Sequence, residues 1–267
     1  MRAQNLTISI PNKGCNKNCP YCVSRMTGDS DSKGPLMSRN VPKVIQLAKA
    51  SQVTSVLLTG KGEPTLNMED ALLFASQFRA WPLEIQTNGI DLGLGKLRDL
   101  AINGMDIIAV SVDNVGDKHL PGLFTNIKET DMVSRATFNI TNKMDLGTFQ
   151  DLIELCKKWG VDQMTLRNVV IPNNTGDTKQ AEWIRKHTNP KLYAKYRDDM
   201  IEACEKEGFL LRTLAHGAKV YDYQGIAVSY SDYCIQDNNS GEDIRSLIFM
   251  EDGHCYTSWN SKASILF

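Results

Sequence analysis

Short apolar runs recur along the chain, each followed by a stretch whose apolar positions fall three or four residues apart. The runs at 5–10, 55–59, 83–87, 106–112, 132–140 and 163–169 have the length and β-branched content of strands. Between them the spacing predicts helices over 39–51, 68–80, 95–103, 147–159 and 179–206. In the 147–159 segment Phe149, Leu152, Ile153, Leu155 and Cys156 share one face, and lysines close the last turn before Gly160. The 190–206 stretch behaves similarly and stops at Gly208.

A repeated strand-then-helix order calls for parallel strands with helices on the outside, which leaves a doubly wound sheet or a full or partial barrel. In either architecture chemistry collects where strands end and loops begin. After residue 208 the rhythm changes to short strands joined by Gly- and Asp-containing turns. This predicts a core over 1–207 and a β-rich extension over 208–267 that belongs to the same domain. The segments 28–34 and 173–177 are polar and read as loops.

Composition narrows the class. The chain has 267 residues, 42% hydrophobic and 23% charged, ordinary values for a globular protein with a sizeable core. A formal net charge of −1 provides no global attraction to nucleic acid or an anionic membrane. No apolar run approaches the ~18 residues that span a bilayer, and the N-terminal MRAQNLTISIPNKG lacks a signal-peptide core. A cytoplasmic protein is expected, with neither nucleic acid nor membrane as partner. In a reducing cytosol clustered cysteines read as metal or redox ligands, not as disulfides.

Such a cluster opens the chain. NKGCNKNCPYCVSR, residues 12–25, holds Cys15, Cys19 and Cys22 immediately after the first strand. Three is odd for disulfides and one short of the four thiolates of a structural zinc site. Thiolates suit zinc or iron–sulfur clusters, and three of them on a four-iron cubane leave one iron with an open position. A zinc loop would call for a fourth Cys or His nearby, and none occurs between residues 23 and 118.

The C-x3-C-x2-C spacing with Tyr21 before the third cysteine resembles the signature of the radical SAM superfamily. That resemblance implies a partial (β/α)6-type TIM barrel with a small β-rich C-terminal extension. It implies a 4Fe-4S cluster on Cys15, Cys19 and Cys22, with S-adenosylmethionine at the open iron. Four further segments match the family's cofactor pocket. LLTGKGEPTL (57–66) resembles the loop that meets the cofactor's amino group, through Gly60, Gly62 and Glu63; Lys61 departs from the family's double glycine. IQTNGI (85–90) offers Thr87 and Asn88 as a polar wall. AVSVDN (109–114) offers Ser111 and Asp113 to the ribose or carboxylate. TLRNVVIPN (165–173) offers Arg167 to the methionine carboxylate, or to a neighbouring acid as a salt bridge. Asn139, Asn168 and residues 170–171 are secondary candidates.

The reaction the resemblance implies is reductive cleavage of S-adenosylmethionine to a 5′-deoxyadenosyl radical that abstracts hydrogen from a substrate. An electron donor such as flavodoxin or ferredoxin is implied as a partner. A small molecule such as a nucleoside or nucleotide derivative is the first-choice substrate, and a ribosomally made peptide or protein residue the second. A non-catalytic zinc or iron–sulfur module is the rival class. Cys156 and Cys204 read as buried small hydrophobes. Cys234, Cys255 and His254 fall short of a second cluster. His119 and His187 need no role; His216 reads as structural, with a place at the barrel mouth as the alternative. Tyr221, Tyr223, Tyr230, Tyr233, Tyr256 and Trp259 read as core or rim packing, with a stacking surface for a planar substrate as the alternative.

Overall fold

A computed structural model describes residues 1–27, 34–144, 146–173, 175–214, 217–232 and 243–267. Six parallel strands form the centre: β1 (Arg2–Ser9), β2 (Ser55–Thr59), β3 (Leu83–Thr87), β4 (Ile107–Val112), β5 (Val133–Ile140) and β6 (Gln163–Asn168). The helices that join them are α1 (Pro35–Ala50), α2 (Met68–Phe78), α3 (Leu94–Ile102), α4 (Leu120–Lys128) and α5 (Phe149–Trp159). After β6 come α6 (Lys179–His187) and α7 (Pro190–Glu207), then β7 (Phe209–Thr213), β8 (Lys219–Tyr223), β9 (Ile226–Ser231), β10 (Asp243–Phe249) and β11 (Cys255–Tyr256).

The strands make one sheet in the order β11-β10-β1-β2-β3-β4-β5-β6-β9-β8-β7, with β11 and β7 at its two edges, so the barrel is open. The tail strands therefore do not gather in one place. β9 pairs parallel with β6 and carries β8 and β7 as an antiparallel meander, while β10 pairs parallel with β1 at the opposite edge. Sequence periodicity identifies these strands but not their destinations, which depend on long-range pairings such as Arg2 with Asp243 and Gln163 with Ala227.

The strands alternate sharply. In β2, Val56 and Leu58 are buried against the helices, and in β3 so are Leu83 and Ile85. The intervening Thr59 and Gln86 turn to the inner face, which is polar and hollow. Lower in the barrel Arg135 spans this face, donating from Nε to Gln163 Oε1 at 2.9 Å and pairing with Glu84. A polar lumen departs from the branched apolar filling usual in closed TIM barrels and leaves space for a ligand.

Two helices differ from their sequence prediction. The stretch 179–206 breaks between α6 and α7, where the Asn189 side chain caps Lys191 N at 2.9 Å and Pro190 opens a new helix. α4 escapes notice because Pro121 and Gly122 occupy its first turn. Cys156, Cys204 and Cys255 are buried, and burial pushes each thiol up to about 12, so they pack as small hydrophobes. His216, Tyr233, Cys234, Asn174 and nearly all of 28–34 lie outside the described residues. Among the described residues no helix is long and apolar enough to cross a membrane.

Candidate functional site

The C-terminal ends of β1 to β6 open into a cavity of about 200 Å³. Of the eleven residues singled out above, ten line it, and Gly60 lines the adjoining lumen. Segments up to about 150 residues apart in sequence thus meet at one mouth because each follows a parallel strand.

The cysteine loop is fastened at three places. First, Asn12 Oδ1 accepts from Gly14 N at 2.7 Å, and Gly14 O accepts from Glu63 N at 2.9 Å. This bond sets the loops after β1 and β2 side by side. A Cβ on Gly62 would lie 2.1 Å from Asn12 Oδ1 and 2.3 Å from Gly14 O, so only glycine fits there. Lys61, the departure from the double glycine, sends its Nζ to Thr27 O at 3.4 Å instead of into that contact.

Second, Asn88 Nδ2 donates to Asn16 Oδ1 at 2.8 Å, between the first and second cysteines. Asn88 is itself held by the buried Glu63. One Glu63 carboxylate oxygen accepts from Thr65 N, Thr65 Oγ1 and Thr87 Oγ1 at 3.0, 2.7 and 2.6 Å, and the other accepts from Asn88 N at 2.8 Å. Four donors match the acceptor capacity of a carboxylate. Glu63 and Thr87 therefore spend their side chains on joining β2 to β3, a use that the motif alone does not reveal.

Third, Asp113 at the end of β4 collects the middle of the cysteine loop. It pairs with Lys17 Nζ at 2.8 Å, accepts from Tyr21 Oη, from Asn139 Nδ2 at 2.7 Å and from Cys19 Sγ at 3.7 Å. Burial and the neighbouring Asp113 push the Cys19 thiol up to about 12. The same two causes raise Tyr21. Burial opposes the Lys17 charge, but Asp113 outweighs it and raises Lys17. Lys17 and Tyr21 carry this role through contacts with a residue almost a hundred positions away. The aromatic before the third cysteine was the one local sign of it.

The donor set fits an iron–sulfur cluster. Among the described residues no three His, Cys, Asp or Glu side chains converge as a single metal ion requires. The three thiols instead border one cavity, as ligands to separate irons of a cluster would. The Arg167 side chain lines the same cavity and, among the described residues, makes neither hydrogen bond nor ion pair. A half-buried guanidinium facing a cavity without an acid partner is a ready anion site. Ser111 borders both this cavity and the lumen. Trp259, expected in packing, also faces the lumen, whereas Tyr221, Tyr223 and Tyr256 are buried.

An open parallel barrel with a thiol-lined mouth defines the class, and sequence comparison defines the family. The family model for the radical SAM superfamily matches residues 9–181, and the chain belongs to that superfamily. Its members are enzymes that use a 4Fe-4S cluster and S-adenosylmethionine. The chain is 26% identical over 171 residues to pre-heme d1 synthase of Dinoroseobacter shibae, covering 58% of this chain and 41% of that protein. It is 33% identical over 91 residues to 7-carboxy-7-deazaguanine synthase of Clostridium acetobutylicum, covering 33% of this chain and 40% of that protein. The fold resembles Streptococcus suis SuiB bound to precursor peptide SuiA, with a TM-score of 0.61 at 15% identity over 96% of this chain and 59% of that one. The matched stretches thus span less than two thirds of each of these relatives.

Proposed function

We propose that this chain is a radical SAM enzyme acting on a small molecule, with Cys15, Cys19 and Cys22 as cluster ligands. One observation carries the reading: the three thiols and the strand-end residues of β2, β3, β4 and β6 border a single cavity. The cluster and S-adenosylmethionine, when bound, supply one-electron reductive cleavage and hence a hydrogen-abstracting radical.

The chain's own residues supply position and shelter. Asp113, with Lys17 and Tyr21, holds the cysteine loop over β4. Glu63 braces the loop after β2, leaving its backbone carbonyls to meet the amino group. Arg167 takes the carboxylate of the methionine moiety, and Ser111 stands toward the ribose. A nucleoside or nucleotide derivative is the favoured substrate. The relative named for a carboxylated deazaguanine supports that class. Flavodoxin or ferredoxin in a reducing cytoplasm is the expected source of electrons.

The test is anaerobic reconstitution with iron and sulfide, incubation with reductant and S-adenosylmethionine, then mass spectrometry for 5′-deoxyadenosine. Wild-type protein should form it, and Cys→Ala at 15, 19 or 22 should abolish it. A well-loaded protein that forms none with candidate substrates present would exclude the proposal.

A further inference from the structure

One helix lies directly on the thiol loop. Ala181, Trp183 and Ile184 of α6 pack in one apolar cluster with Tyr21, Val23 and Met26, and Tyr21 and Val23 flank the third cysteine. The Trp183 ring sits 5.5 Å from that of Tyr21, and the His187 ring meets Trp183 edge-on at 4.6 Å. A packed aromatic path thus runs from the half-exposed Trp183 through Tyr21 to Asp113, which also accepts from Cys19.

Around Trp183 the surface is basic. Lys179, Trp183, Lys186 and His187 stand at helix positions i, i+4, i+7 and i+8, so they share one stripe of α6. Lys143 joins them from the turn after β5, where Asn142 N donates to His187 O at 2.8 Å. Lost solvation and the charges of Lys143 and Lys186 hold His187 below the ordinary histidine range. The three lysines are exposed, and their ammoniums make neither hydrogen bond nor ion pair among the described residues. Arg185 is already paired with Asp177 at 3.1 Å, and Glu182 is the one acid within α6. The chain as a whole has 30 basic and 31 acidic residues, so this excess is local. Neighbouring like charges repel, and an acidic surface laid over them relieves that repulsion. A tryptophan among them is the residue type that anchors docked proteins. Lysines alone would also attract nucleic acid, but the aromatic path into the thiol loop gives an electron carrier a use at this place.

We propose that this face of α6 docks an acidic one-electron carrier protein, with Trp183 and Tyr21 as the packed contact between the carrier and the thiol loop. One electron leaves the reduced carrier and enters the group held by the three thiols; no bond forms or breaks. The purpose of the docking rests on the radical SAM reading, whereas the docking itself does not.

The test is anaerobic calorimetric titration of the full chain, reconstituted and iron-free, with each flavodoxin and ferredoxin of the source organism. At least one should bind at low salt and weaken as salt is raised from about 0.05 to about 0.3 M. The triple variant Lys143→Gln, Lys179→Gln, Lys186→Gln should bind that carrier about tenfold or more weakly. A control triple of equal charge, Lys49→Gln, Lys128→Gln, Lys158→Gln, lies in the last turns of α1, α4 and α5 and should stay within about twofold of wild type. Reduction of the loaded protein by the carrier should slow with the first triple, while reduction by dithionite should not. If the first triple loses its circular dichroism, the three single variants serve, each weakening the carrier more than any single control. No carrier binding, equal binding by the two triples, or binding of a short single-stranded RNA in place of every carrier would overturn the proposal. Cofactor cleavage is assayed separately with dithionite. Docking without cleavage leaves this inference standing and removes the enzymatic reading; cleavage without docking does the reverse.

Discussion

Three glycine-to-alanine changes test how tightly the cysteine loop is fastened, because the same added methyl meets different surroundings. At Gly62 the methyl would stand 2.1 Å from Asn12 Oδ1 and 2.3 Å from Gly14 O, where real contacts stay beyond 3.0 Å. Both acceptors must retreat by nearly 1 Å, which breaks the Asn12–Gly14 turn and the Glu63–Gly14 bond, now 2.7 and 2.9 Å. Two hydrogen bonds at about 1 kcal/mol each, plus about 1–3 kcal/mol for overpacking, predict a loss of about 3–5 kcal/mol for Gly62→Ala. At Gly60 the methyl meets Ile10 O at 3.1 Å, which a shift of a few tenths of an ångström relieves. Gly60→Ala should therefore cost less than about 1 kcal/mol. Gly95, exposed in the first turn of α3, has nothing within 4 Å, and Gly95→Ala should stabilise by about 0.5–1 kcal/mol. Urea denaturation of the iron-free proteins gives the three values, and iron per chain after reconstitution reports whether the loop still forms. If Gly62→Ala is no less stable than Gly60→Ala and loads iron normally, the fastening described here is wrong.

Asp113→Asn places an amide against Lys17, Tyr21 and Asn139, so it should cost about 2–4 kcal/mol and reduce iron loading. Unchanged stability and loading would count against the hub. Arg167→Gln should weaken S-adenosylmethionine binding about tenfold while stability moves less than about 0.5 kcal/mol, since no described partner is lost. A large stability loss with intact affinity would show a structural role instead. Asp151 accepts from Thr148 N and Oγ1 in the cap of α5, which holds its carboxyl below the ordinary range. A depressed value stabilises above the unfolded-state value of about 4 and is lost as pH falls through the folded value. Asp151→Asn should flatten the acid limb of a stability–pH curve and leave its neutral limb parallel to wild type; an unaltered acid limb would refute this.

The outer face of the sheet was legible because Val56, Leu58, Leu83 and Ile85 alternate with polar neighbours at strand spacing. The strand-end motifs were legible as well, since each follows such a run. What periodicity could not carry was long-range pairing. Nothing in DIRSLIF announces that β10 runs beside β1 and brings Arg245 into the lumen. The bracing role of Glu63 was not legible, because its donors, Thr65, Thr87 and Asn88, come partly from another strand. Lys17 drew no attention in the sequence, because its partner Asp113 is brought to it by β4.

The central claim is that three thiols and one cavity hold a cluster with an open iron beside S-adenosylmethionine. The most direct measurement is the electron paramagnetic resonance spectrum of the reduced, reconstituted protein with and without S-adenosylmethionine. The account predicts a four-iron cluster signal that shifts when the cofactor is added and disappears in Cys19→Ala. A signal unmoved by saturating S-adenosylmethionine, or one that survives in Cys19→Ala, would contradict it.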